Sequence, residues 1–227
     1  MNAAPRAAAA LVMVALAACT TPRSVTPRTQ NGNAAAGTAL TPDQLLAAVQ
    51  RDADQLDQTK DAAERARLLT DATTSARQCL AKAPDNGACH YAQAQVLGLS
   101  ARERPLQAAA FLKDMLASLA KAESADPALD HAGPARLTAV VLLRAPPWPL
   151  GPGDVDAAVT AAQRAVKRDP AYPPNLIALA QAQAKSDGAP QARVTFARAQ
   201  AAIQAWPADA ERAPWQATVA QGLQQLQ

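Results

Sequence analysis

Cys79, Cys89 and His90 form the densest group of reactive side chains in this 227-residue chain, and thiols beside an imidazole are either metal ligands or the makings of a disulfide. Three such ligands leave a tetrahedral zinc site one short, and no fourth stands nearby, so no metal is expected. Pro84-Asp85-Asn86-Gly87 turns the chain between the two cysteines, which can then face each other across an antiparallel hairpin. A Cys79–Cys89 disulfide is therefore expected, contributing about 2 to 3 kcal/mol by loop closure. The competing reading is that both are small buried packing residues. Catalysis has little else to draw on. The two histidines, His90 and His131, are 41 residues apart, no Gly-rich phosphate loop follows a strand, and no HExxH helix occurs. An enzyme needs an activated nucleophile, an acid/base pair or a metal, so the expectation is a non-enzyme without a cofactor.

The third cysteine, Cys19, has a different setting. Arg6 precedes an apolar run from Ala7 to Ala18 that is too short to span a bilayer, which takes about 20 apolar residues. The run ends in Leu16-Ala17-Ala18-Cys19, which resembles the lipobox of bacterial lipoproteins. The resemblance implies a signal peptide over 1–18 and lipidation of Cys19. Residues Thr20 to Ala39 hold Pro, Thr, Ser, Asn, Gly and Ala with almost nothing bulky, the composition of a flexible tether. The organisation expected is a leader over 1–18, a tether over 19–40 and a folded body over 41–227. Thr20 stands where lipoproteins kept in the inner membrane carry Asp, so the same resemblance implies an outer-membrane anchor facing the periplasm.

The basic pI of 8.9 does not mark a nucleic-acid binder. Arg6, Arg23 and Arg28 lie ahead of the body, and from Thr41 onward nineteen basic residues meet nineteen acidic ones. No net positive footprint is left for phosphates. The body is long enough for one domain with a sizeable core. Alanine dominates it and aromatics make up 3% of the chain. Alanine favours helix and lets helices approach closely, and no run alternates as a strand would, so the body is expected to be all-α.

Prolines set the helix lengths. Pro84, Pro127, Pro170 and Pro207 follow helical stretches at separations of 43, 43 and 37. Five, eight and twelve residues before the first three recur small or apolar positions: Cys79, Ala76 and Ala72; Ala122, Leu119 and Met115; Ala165, Ala162 and Ala158. Such a stripe at i, i+4, i+7 packs against a neighbouring helix. Leu176, Leu179 and Ala180, with Ala192, Phe196 and Ala199, fit the tetratricopeptide pattern best. The pattern resembles tetratricopeptide repeats, implying stacked antiparallel helical hairpins in a degenerate solenoid with a groove on its inner face. Helices are expected at 42–58, 61–82, 86–100, 105–124, 130–144, 154–168, 174–186, 189–205 and 208–225. Asp43, Asp154 and Asn175 are expected as caps or first-turn residues.

One segment exceeds what such hairpins need. His131-Ala-Gly-Pro134-Ala-Arg136 opens a helix that runs into Arg144-Ala-Pro-Pro-Trp148-Pro-Leu-Gly-Pro-Gly-Asp154, and long connections of this kind are often functional. Gly133 to Arg136, Ala145 to Asp154, Tyr172-Pro-Pro-Asn175 and Cys89-His90-Tyr91 together resemble the T-component lipoproteins associated with tripartite ATP-independent periplasmic (TRAP) transporters, over roughly residues 77–200. That resemblance implies a protein partner, a periplasmic solute-binding component, and a role in ligand capture or hand-off. His90, Tyr91, Arg136, Arg144, Trp148 and Asn175 are the candidate ligand or partner contacts. Against this, Arg136 and Arg144 could bond loop carbonyls or pair with Asp130 and Asp154, Trp148 could plug its loop onto the helices, and Asn175 could cap its own. A pocket between helices for a small apolar or anionic ligand is the alternative function.

Overall fold

Thr41 opens the first helix with a reciprocal cap. Its hydroxyl accepts from the Gln44 amide at 3.2 Å, and the Gln44 side chain accepts from the Thr41 amide at 2.8 Å. Such a box satisfies two of the amides that a helix start leaves without partners. Asp61, Asn86 and Asp154 each cap a later helix with one side-chain oxygen. The computed structural model describes residues 40–208 and 211–227. The leader, all of the tether but Leu40, and Cys19 lie outside them.

Among the described residues the chain forms α1 (Pro42–Gln58), α2 (Ala62–Lys82), α3 (Gly87–Glu103), α4 (Ala108–Ala125), α5 (Leu129–Arg144), α6 (Val155–Arg168), α7 (Pro173–Lys185), α8 (Ala189–Ala205) and α9 (Arg212–Gln225), with no strand. The body is all-helical, as its composition implies. Boundaries differ by more than one residue in three places. α3 runs on to Glu103, because Pro105 and not a polar residue stops it. Residues 105–107 make a single 3-10 turn ahead of α4. The last helix begins at Arg212 rather than at 208.

α1 packs on α2, α3 on α4, α5 on α6 and α7 on α8, and the second helix of each pair also meets the first helix of the next. First helices touch one another as well, α1 on α3 and α5 on α7. The stripe ahead of each proline fills these seams: Ala72, Ala76, Cys79, Met115, Leu119, Ala122, Ala158, Ala162 and Ala165 are all buried. Small side chains there let the helix axes come close without leaving voids. Cys79 and Cys89 are joined as a disulfide, with Cα atoms 5.1 Å apart, tying the last turn of α2 to the first turn of α3.

Because the helices alternate in direction, the connections gather at two ends. Leu40 joins the body at the near end, where Lys82 of the last α2 turn donates to its carbonyl at 3.4 Å. The start of α3, the end of α4 and the start of α5 are also there, Gly87 lying against Asp126. The far end holds the α1–α2, α3–α4, α5–α6 and α7–α8 connections, and there Lys185 donates to the Leu143 carbonyl at 2.8 Å.

Candidate functional site

Asp130, His131 and Ala132 have φ of 49°, 53° and 64°. Three consecutive left-handed residues without a glycine are costly for L-amino acids, so something must hold them. That something is Arg136, 3% exposed. Its Nη1 donates to the Asp130 and His131 carbonyls and to Asn175 Oδ1, each at 3.1 Å, and its Nη2 donates to Asp130 Oδ2 at 2.9 Å. The buried Asn175 donates from Nδ2 to the carbonyls of His131 at 2.9 Å, Asp169 at 3.0 Å and Ala165 at 3.3 Å. The Tyr91 hydroxyl donates to Asp130 Oδ2 at 2.7 Å. Burial, and after it the Asp130 carboxylate, pushes the Tyr91 hydroxyl well above its ordinary value, so it stays a donor.

Gly133 follows from this packing, since a Cβ there would lie 2.4 Å from the Tyr91 oxygen. Pro134 then suits the opening turn of the regular helix, where its missing N–H leaves no hydrogen bond unmade. His131 Nδ1 meets Asp169 Oδ2 at 2.7 Å, and its ring stacks on Tyr172 at 4.3 Å. Tyr172 in turn lies edge-on to Trp206 and Trp215, so the turn is fastened to the C-terminal helices.

Tyr91, Arg136 and Asn175 thus come together, buried, at the near end. Asn175 does not cap its helix: Tyr172 is the N-cap residue, and the Asn175 side chain is spent on three carbonyls from other segments. His90 lies partly buried in the first turn of α3, and none of these hydrogen bonds involves it. Arg144 and Trp148 sit at the far end of α5, about 18 Å away along the twelve regular residues of that helix. Trp148 does not plug its loop onto the body: it is 86% exposed, and Leu150 is 74% exposed. The loop backbone is nonetheless pinned. The Leu150 and Gly153 amides donate to the Pro147 and Pro146 carbonyls at 3.0 and 2.9 Å, and the Asp154 amide donates to the Leu142 carbonyl at 2.9 Å. Gly153 sits so close to the Ala145 carbonyl that a Cβ would fall 2.2 Å from it.

Between α4, α5 and α6 runs an open cleft of about 410 Å³, lined in part by Glu123, Ala132, Arg164, Lys167 and Arg168. Arg164 is committed to Glu123 through bonds of 2.8 and 3.1 Å, which hold its guanidinium above its ordinary value. Among the described residues no three His, Cys, Asp or Glu side chains gather as a metal would require, and no helix is long and apolar enough to cross a membrane.

No protein-family model matches the chain, and no curated protein matches it either. The partners that sequence reasoning missed are His131, Asp169 and the Trp206–Trp215 pair. The one available signal was the scarcity of aromatics, three Trp and two Tyr in the whole chain, which makes each a candidate anchor.

Proposed function

We propose that the chain is a lipid-anchored scaffold on the periplasmic side of the outer membrane, a degenerate tetratricopeptide-like stack that binds a protein partner and performs no catalysis. The observation that supports this best is the order of helix packing: proline-delimited hairpins, each seam filled by the recurrent small-residue stripe and each second helix meeting the next hairpin. A stack of this kind offers a rigid, extended surface, which suits binding more than chemistry. The partner proposed is the solute-binding component of a TRAP-type transporter, on the motif resemblance over residues 77–200. Anchoring rests on Leu16 to Cys19 and is tested by intact mass of the envelope form: a diacylated N-terminal Cys19 is expected, and an unmodified N-terminus elsewhere overturns it. Partner binding is tested by crosslinking the full chain in native envelopes; one enriched periplasmic protein is expected, and no specific protein overturns the scaffold.

A second reading has one observation in its favour. The cleft, where Lys167 and Arg168 stand beside the Arg164–Glu123 pair, would suit a small anion. Calorimetric titration with short dicarboxylates separates the two, since saturable heat lost on Lys167→Ala/Arg168→Ala would favour the ligand binder.

A further inference from the structure

Exposed apolar side chains mark interaction sites where they gather rather than where they stand singly, and their distribution here is uneven. Leu106 is 102% exposed, Trp148 86% and Leu150 74%. All three stand on far-end connections, Leu106 in the α3–α4 turn and the other two in the α5–α6 loop of the adjoining hairpin. The Trp148 loop is held by its own carbonyls and by prolines at 146, 147, 149 and 152. Its side chains are presented at little further cost in order, which is how preorganised anchors bind. Tryptophan set in a partner's pocket is also the side chain most often found to dominate an interface.

We propose that the far end of the stack is a docking surface, on which Trp148 and Leu150, flanked by Leu106, insert into an apolar pocket of a protein partner. The inference rests on the scaffold reading above and names where that scaffold binds. A lipid surface would be the other occupant of an exposed Trp and Leu, and two observations speak for protein. Residues 1–39, which carry the proposed anchor, join the body at Leu40, at the opposite end of the helices from this loop. The charges around the loop are also net acidic, Arg144 and Lys185 standing against Asp154, Asp156 and Asp187. Anionic phospholipid draws clusters of basic residues; of the two arginines beside Leu106, Arg102 is already paired with Asp57 and Glu103.

The test places p-benzoylphenylalanine at Trp148 in the full chain, in native envelopes, beside a Leu106→Ser/Trp148→Ser/Leu150→Ser variant. These side chains are exposed, so circular dichroism and the melting temperature of the variant should match the parent. The result expected is one protein crosslinked at position 148, its recovery with the parent falling at least tenfold in the triple variant. Equal recovery from parent and variant, within twofold, overturns the docking surface and leaves the scaffold standing. Crosslinking at 148 to phospholipid alone, or binding of the purified chain to phosphatidylglycerol vesicles that the triple variant loses, overturns it in favour of membrane. Recovery of no protein by the parent overturns scaffold and docking surface together.

Discussion

Replacing Arg136 by Leu removes the guanidinium that braces the left-handed turn, and the cost can be worked from its contacts. Four hydrogen bonds of 2.9 to 3.1 Å disappear. The Asp130 carboxylate, whose side chain is 14% exposed, loses its cation, and the Tyr172 face loses the charge lying 5.0 Å from its centre. Breaking a buried ion pair from one side costs about 3–5 kcal/mol, because the remaining charge stays buried and uncompensated. A domain of this size loses roughly 2–4 °C in melting temperature per kcal/mol, so a fall of roughly 10 °C is expected. Thermal unfolding followed by circular dichroism at neutral pH reads it, and Arg136→Lys should fall between, since an ammonium can meet Asp130 but not fork to three acceptors. An Asp130→Asn partner in a double-mutant cycle should show strong coupling. A fall under about 3 °C, with no coupling, would refute the brace and return Arg136 to the list of ligand contacts.

Three further outcomes follow from the same structure. Cys79→Ala/Cys89→Ala should lower stability by about 2 to 3 kcal/mol in urea unfolding, and non-reducing peptide maps of the parent should show the 79–89 pair. Gly133→Ala should cost roughly 1–3 kcal/mol by forcing apart Tyr91 and Asp130, with part of the loss recovered in Gly133→Ala/Tyr91→Phe. Glu103 is held below its ordinary value of 4.5, first by its hydrogen bonds from Arg65 and then by the charges of Arg65 and Arg102. Its contribution is complete above pH 4.5 and is lost as the pH falls through the lowered folded-state value, so Glu103→Gln should flatten the acid limb of the stability profile.

Helix positions were largely legible because proline and the capping residues act locally. Pro84, Pro127, Pro170 and Pro207 stop helices whatever surrounds them, and Asp154 caps α6 as its type suggests. The Cys79–Cys89 pairing was legible for the same reason, ten residues apart across one turn. The near-end network was legible only in part: Arg136 does bond loop carbonyls and pair with Asp130, as one of its two readings has it, but the longer-range partners were not. The longer bonds link Tyr91 to Asp130, His131 to Asp169 and Arg136 to Asn175, all 38 or 39 residues apart, about one hairpin. Tyr91–Asp130 and Arg136–Asn175 join one hairpin to the next, His131–Asp169 closes the ends of the α5–α6 hairpin, and only the packing brings each pair together. The left-handed run over Asp130, His131 and Ala132 had no glycine to announce it, because tertiary hydrogen bonds and not local preference hold it. Of the two readings of Trp148, the plug fails for a related reason: burial of a loop aromatic depends on where the loop points, which its own residues do not encode.

On the proposed reading, the 131–154 segment divides into a buried brace at the near end and a docking loop at the far end of a protein-binding scaffold. Lysine-directed crosslinking of the native complex, read by mass spectrometry, tests it most directly, because lysines mark both ends. Links from the partner to Lys60 and Lys185 at the far end are expected; links confined to Lys82 and Lys167 at the near end would contradict the reading.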